Sequence, residues 1–449
     1  MAAMLSPATT GLNSRTALRW LDRLAPWIVL ATFVGLAIPF HRLNRPCEWD
    51  DVYLRAAKVL QAGGPLYSEV PLYTYPPFMA WLAIPFTWMP VLASRALWFA
   101  LNVGCFGGMV WLAWRWIYPP TESRTLTEAE RWRRWAVLGF GLLLGGRAMT
   151  NSILHHQTDL VFGLLVFVGI DQLLKSRSSA AAIAFGLAAA MKCTPLLWTV
   201  FFLWSGPRRA ALLVLLTAIV ANLLPNVTHP TEHGTWLGGW LHHVLLNVLR
   251  PGAYPGQWNV DVITNQSLAG SCYAWIKSTW SWDAAGFHLH LRETGLISPL
   301  IAKLIVYGTG ATLLLVTLRR LSWQPLACAE TRPPTVTQCA MILLLMLLLS
   351  PMSHKTHFGL LLVPGFALGK AWMEGRSRAL GLTLAVVVFL QIGSLRAISV
   401  PLAHFASWLG AQMLTTVALL AGCWIAHSGS RERADLRPRP EAVILSRAA

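Results

Sequence analysis

An all-α, polytopic membrane protein with roughly 10–13 membrane helices is the fold class this sequence predicts, by the length of its apolar runs. Three observations predict it. Of 449 residues, 55% are hydrophobic and only 12% charged, too little charge to cover a soluble chain of this length. Mean hydropathy is +0.51, and the apolar runs are long enough to cross about 30 Å of hydrocarbon. Basic residues cluster between those runs, where they set orientation and meet anionic headgroups. The net charge of +17 is thereby explained without nucleic acid, for which no aromatic-basic surface or known module is present. The 23 tryptophans fit the same class, because indole rings anchor at membrane interfaces.

The elements follow in order. Arg15, Arg19 and Arg23 share one helical face over residues 14–24, which predicts an interfacial helix in a cytoplasmic segment, 1–23. Residues 24–40 form the first span, read as a retained signal anchor because no small-residue cleavage site accompanies it. The positive-inside rule then sets loop 41–76 outside. Residues 77–90 are short and interrupted by Pro85, and read as a re-entrant or interfacial helix. Span 92–117 leads to Arg124, Arg131, Arg133 and Arg134 inside. Runs 135–154 and 160–174 go out and return to Lys175 and Arg177. A hairpin, 180–190 and 196–204, breaks at Lys192-Cys193-Thr194-Pro195 and returns to Arg208-Arg209. Run 210–224 leads to a long outer loop, 225–298, and 300–318 returns to Arg319-Arg320. Runs 339–349, 358–372, 379–395 and 405–426 complete one membrane domain, 24–427, before a basic, proline-containing cytoplasmic tail, 428–449.

This parity gathers the polar clusters on the outer side. Glu48, Asp50 and Asp51 leave the first span together; a carboxylate there serves as general base, or as an N-cap for a helix beginning near Val52. That helix ends at Gly63-Gly64. Tyr73-Thr74-Tyr75-Pro76-Pro77 precedes the short helix, its prolines starting the helix and its aromatics anchoring it at the headgroup boundary or lining a groove. Lys192, at membrane depth, requires a carboxylate such as Asp159, water or an anion. His354, Lys355 and His357 follow Ser350-Pro351, where they suit a phosphate leaving group. Asn265-Gln266-Ser267 offers hydrogen bonds to sugar hydroxyls, and is also an N-x-S sequon. The seven cysteines contain no CxxC pair; Cys47 and Cys272 are both placed outside, which admits a disulfide in an oxidising compartment. No metal site, P-loop, dinucleotide fingerprint or serine-hydrolase elbow is present.

In ordered series, these residues resemble glycosyltransferase family 87 of the GT-C superfamily, whose members resemble mannosyltransferases using polyprenyl-phosphate sugars on the outer face. The matching stretches are Asp50-Asp51-Val52-Tyr53 through Gly63-Gly64 and Leu66-Tyr67, Tyr73 to Pro77, and Gln157. They continue with Gly186 to Lys192 and Pro195, Asn265-Gln266-Ser267, and Ser350-Pro351 to His357. His156 stands where the family has glycine, Asp159 where it has asparagine, and His354 where tryptophan is common.

The resemblance implies a GT-C-like fold and inverting transfer of a hexose, mannose by analogy, from a polyprenyl-phosphate donor to a lipid or glycan acceptor. It implies Asp50 or Asp51 as general base, with Asp50 favoured by its distance from Tyr53. Lys192, His357 and Lys355 would neutralise the donor phosphate. Tyr53, Tyr75, Gln157, Asp159, Asn265, Gln266 and His354 would contact sugar or acceptor. No cofactor, metal or nucleic acid is implied, and the location is a bacterial plasma membrane with the site on its periplasmic face. A secondary transporter or lipid flippase is the rival reading, with the break at Lys192 as its midplane site; no half-to-half internal similarity supports it.

Overall fold

A computed structural model describes residues 11–42, 47–120, 125–232, 234–258, 261–284, 286–321 and 335–435. Residues 1–10 and 436–449 of the two cytoplasmic segments, and Arg124, lie outside the described residues.

The chain is all-α and membrane-spanning. Among the described residues, five helices are long and apolar enough to cross a bilayer: Thr16–Phe40, Val91–Ile117, Glu128–Leu154, Arg208–Thr228 and Pro299–Arg320. Val400–Trp408 and Ala411–Ser428, bent by 61°, make a sixth if counted as one broken span. Pro77–Thr87, Ser178–Met191, Thr194–Trp204, Val336–Leu349 and Arg378–Gly393 are apolar but shorter. Trp27, Ile28 and Ile38 are 68%, 59% and 59% exposed, more apolar surface on one helix than water tolerates, so lipid covers it. Val336–Leu349 is the opposite case. Every residue from Cys339 to Leu348 is buried, as expected of a helix that is apolar all round.

Several predicted elements take a sharper form. The segment around Arg15–Arg23 and the first span are one continuous helix, Gly11–Phe40. Trp49–Leu54 winds as a π-helix and runs directly into Arg55–Gln61. Gly63, at φ +72°, then turns the chain, and Gly64 N–H bonds back to Val59 O, a left-handed stop that glycine adopts without strain. Pro76 caps Pro77–Thr87, whose first residue needs no hydrogen-bond donor. Lys192 leaves Ser178–Met191 in extended conformation before a short 3₁₀ turn, Thr194–Leu196.

The long loop holds one feature absent from the all-helical expectation. Ser278–Asp283 (β1) pairs antiparallel with Gly286–Leu291 (β2). The alternation Trp280, Trp282 against Phe287 presents aromatic rings to Phe405, at centroid distances of 5.0, 6.2 and 5.9 Å, so the hairpin is fixed by a helix far along the chain. Cys47 and Cys272 are both free thiols, so no bridge joins the two loops.

The two ends of the molecule carry different contacts. At one end Asp171 takes Arg115 at 2.7 Å, Lys175 at 2.5 Å and Trp116 Nε1 at 3.1 Å. At the other, the loops predicted to lie outside tie together. Thr231 Oγ1 donates to Gly63 O at 3.1 Å, Trp240 Nε1 to Thr74 O at 3.0 Å, and Gln266 N to Ser353 O at 2.8 Å.

Candidate active site

A cavity of about 1260 Å³ opens at this second end, and its lining changes character along its length. Glu48, Tyr53, Tyr75, Gln157, Lys192, His354 and His357 line its polar part. Val306, Tyr307, Gly310, Ala311 and Leu314, one face of Pro299–Arg320, line its apolar part.

The polar part is a connected network. Gln157 follows the helix Arg147–Leu154 after a tight turn in which His156 takes φ +56°, the left-handed region that favours glycine. The His156 ring lies 4.0 Å from the Phe40 ring, and its Nε2 is 3.1 Å from Phe40 O; these contacts hold the turn. Gln157 Oε1 accepts from Tyr53 Oη at 3.1 Å and Tyr75 Oη at 3.2 Å. Its Nε2 therefore points the other way and donates to Glu48 Oε2. Two phenols thus fix the amide, and the amide fixes the carboxylate.

Glu48 is the carboxylate that faces the cavity. Burial, and next the negative charge of Asp159, raise it to about 7 from the usual carboxylate range, with the Gln157 hydrogen bond pulling the other way. Its other oxygen is 3.9 Å from His155 Nδ1. A carboxylate titrating near neutral pH in a cleft suits proton abstraction from a hydroxyl.

Asp50 and Asp51 point elsewhere. Asp50 Oδ2 accepts from Arg95 Nε at 2.8 Å and Nη2 at 2.6 Å, and Arg95 Nη1 donates to Arg42 O at 2.8 Å. Asp51 Oδ2 accepts from Cys47 N at 3.0 Å, closing the turn on itself. Neither lines the cavity.

Across from Glu48 stands a buried cluster built around Lys192. Lys192 Nζ is 2.8 Å from Asp159 Oδ1 and 2.5 Å from His357 Nε2, and His357 Nε2 is 3.5 Å from the same Asp159 oxygen. This is the carboxylate partner that a lysine at membrane depth requires. Burial, ahead of the opposing pull of Asp159, lowers His357 to about 3, so the ring is neutral at pH 7. His354 N donates to His357 Nδ1 at 3.1 Å, and the opposite ring nitrogen, Nε2, stands between Lys192 Nζ and Asp159 Oδ1. Burial likewise lowers His354 to about 4. Lys192 is thus the cation of the polar lining, and Arg250 joins it from the long loop.

The remaining predicted contacts lie outside the lining. Asn265 is 3% exposed; its Nδ2 donates to Pro351 O at 2.9 Å and Gly256 O at 3.2 Å, and its Oδ1 accepts from Ser267 and Ser353. Gln266 Nε2 donates to Ser407 O at 2.7 Å and Ile263 O at 2.8 Å. These amides are used up in stapling the long loop to residues 350–353 and to the helix Val400–Trp408. Lys355 turns away from the cavity to Ser407 Oγ at 3.0 Å. Asp159 sits behind Lys192. Glu48 had been noted only as one of three clustered acids, and nothing in its spacing singled it out; Arg95 and Arg250 carried no motif at all. Among the described residues, no group of three or more His, Cys, Asp or Glu side chains is arranged to hold a metal ion.

A segment of 244 residues, 50% of this chain, is 25% identical to the polyprenol-phosphate-mannose-dependent alpha-(1-2)-phosphatidylinositol mannoside mannosyltransferase of Mycobacterium tuberculosis, of which it covers 56%. The match thus spans little more than half of that relative's length. The family model for glycosyltransferase family 87 matches residues 73–351, well over half of the chain and most of the cavity lining. This chain belongs to glycosyltransferase family 87.

Proposed function

We propose that the protein transfers a hexose, mannose in the first instance, from a polyprenyl-phosphate carrier to a hydroxyl of a lipid or glycan acceptor. The reaction takes place at the outer face of a bacterial plasma membrane. The observation that carries this reading is the two-part cavity. Its polar part offers one near-neutral carboxylate and one buried cation, and its apolar part runs along a membrane helix. A sugar phosphate esterified to a long isoprenoid chain has the same division.

In this mechanism Glu48 takes the proton of the acceptor hydroxyl. The acceptor oxygen forms a bond to the anomeric carbon as the bond from that carbon to the phosphate oxygen breaks. The electron pair leaves with the lipid phosphate, which Lys192 stabilises electrostatically. Attack from the side opposite the phosphate inverts the anomeric centre. Tyr53, Tyr75 and Gln157 keep the Glu48 carboxylate aimed into the cavity, and Asp159 holds Lys192 in place. Asp50, through Arg95, anchors the turn that presents Glu48.

The test supplies radiolabelled polyprenyl-phosphate mannose to membranes containing the protein. Glu48→Gln, Asp50→Asn and Asp51→Asn are then compared at equal folded amounts. Label enters a lipid or glycan product with the unmodified protein, and Glu48→Gln abolishes it. Transfer retained by Glu48→Gln but lost in Asp50→Asn or Asp51→Asn moves the base to that aspartate. Absence of transfer from every polyprenyl-phosphate sugar tried sinks the reaction itself.

A further inference from the structure

A second cationic cluster lies at the same end of the molecule, outside the cavity lining, and four separate segments build it. Arg147 donates Nη1 to Ser394 Oγ at 3.1 Å and Nη2 to Ser394 O at 3.0 Å, docking onto the turn that follows Arg378–Gly393. Arg396 stands on the same turn. Lys355 donates to Ser407 Oγ at 3.0 Å, on the helix Val400–Trp408 that also carries His404. Arg396 is within electrostatic reach of Arg147, Lys355 and His404, and also of His155.

No carboxylate answers these charges. Among the described residues, none of Arg147, Lys355, Arg396 and His404 forms an ion pair with an acid. Burial, then the charges of Arg396 and Arg147, lower Lys355 to about 8. The contrast with the rest of the chain is direct: Arg95 has Asp50, Arg115 has Asp171 and Lys192 has Asp159. Like charges brought together by three segments, those of Arg147, Lys355 and Arg396, repel one another unless an anion from outside sits among them.

The surroundings say what kind of anion. Ile392, Ile398, Val400 and Leu402 are 42%, 58%, 50% and 37% exposed beside the cluster. Cations at the end of membrane helices, with exposed aliphatic side chains on the adjoining stretch 392–402, match a phosphate headgroup above its acyl chains.

We propose that Arg147, Lys355, Arg396 and His404 form a site for the phosphate of an anionic membrane lipid, separate from the Lys192 cluster of the cavity. His155 and His354, with rings 6.3 Å apart, stand between the two. His155 reaches Glu48, and His354 precedes Lys355 in the chain. This histidine pair is what links the proposed lipid site to the polar cavity, His155 Nδ1 standing 3.9 Å from Glu48.

The test uses the full-length protein in detergent and measures retention of phosphatidylglycerol against phosphatidylcholine by native mass spectrometry. The unmodified protein holds phosphatidylglycerol at least tenfold more tightly. Arg147→Gln/Arg396→Gln loses that preference, whereas Arg208→Gln/Arg209→Gln, at the opposite end, keeps it. Should the first double variant fail to fold, Arg396→Gln alone serves, since its side chain lies on an exposed turn. Equal retention of the two lipids, or a preference unchanged in the variants, overturns the site. Inorganic phosphate competing as well as the lipid, molecule for molecule, makes free phosphate the occupant and overturns the lipid assignment. The readout does not use glycosyl transfer, so it stands or fails independently of the proposed reaction.

Discussion

Gln157 donates its amide to Glu48 while its carbonyl is held by Tyr53 and Tyr75, so one side chain joins two loops and aims a carboxylate into the cavity. The relationship has a kinetic consequence. With Glu48 at about 7, the base is protonated in acid and ionised in alkali. kcat/KM therefore rises roughly tenfold per pH unit below 7 and levels off above it. Gln157→Leu removes the one contact that lowers the Glu48 value, so the midpoint of the pH profile moves upward. A midpoint that stays in place in Gln157→Leu detaches Glu48 from the rate.

The Asp50–Arg95 pair predicts a stability effect of a different kind. Arg95 is 3% exposed, so Asp50→Asn leaves a buried guanidinium without its counter-charge, at a cost of about 3–5 kcal/mol. Asp50→Asn/Arg95→Met removes both charges and recovers most of that loss. Thermal unfolding in detergent measures both. A single variant with full stability and no transfer activity would instead give Asp50 a chemical role.

His156 offers a comparison of two small residues. Both His156→Ala and His156→Gly lose the ring against Phe40, but only alanine keeps a Cβ at φ +56°. Glycine is therefore the more stable of the two by about 1 kcal/mol. Equal unfolding midpoints would show that the turn relaxes when the ring is gone.

Gly145 packs against the segment that carries the histidines. A Cβ there meets Leu362 N at 2.8 Å and Gly359 O at 2.9 Å, both backbone atoms. Gly145→Ala pushes on Lys355–Leu361, the 3₁₀ segment bearing His357, and destabilises the protein by about 1–3 kcal/mol. Because that segment positions the cluster around Lys192, kcat falls more than KM rises. Full kcat in Gly145→Ala would show that the segment moves without disturbing the site.

The membrane architecture was legible because each of its signals is local. Apolar run length gives membrane helices, and Pro76, Gly63 and the break at Lys192 give their ends. The parity derived from those signals brought the predicted outer loops together, and the structure ties them at one end. The Trp280/Trp282/Phe287 hairpin was missed because its partner, Phe405, lies more than a hundred residues away. Position 156, where the resemblance implies glycine, shows its meaning only as a backbone angle: the turn needs a left-handed residue there, and the histidine is held by Phe40.

The sequence by itself therefore determined that this is a multi-pass membrane protein of family 87 pattern, with an acidic turn after its first helix. Tertiary structure alone decided which acid looks into the cavity. Asp50 and Asp51 lie in the π-helix Trp49–Leu54 and Glu48 immediately precedes it, so the three leave the chain in different directions. Where each ends up depends on partners 45 to 109 residues away, Arg95 for Asp50 and Gln157 for Glu48. Spacing along the chain carries no record of those contacts, because side-chain direction at a turn is set by what packs against it.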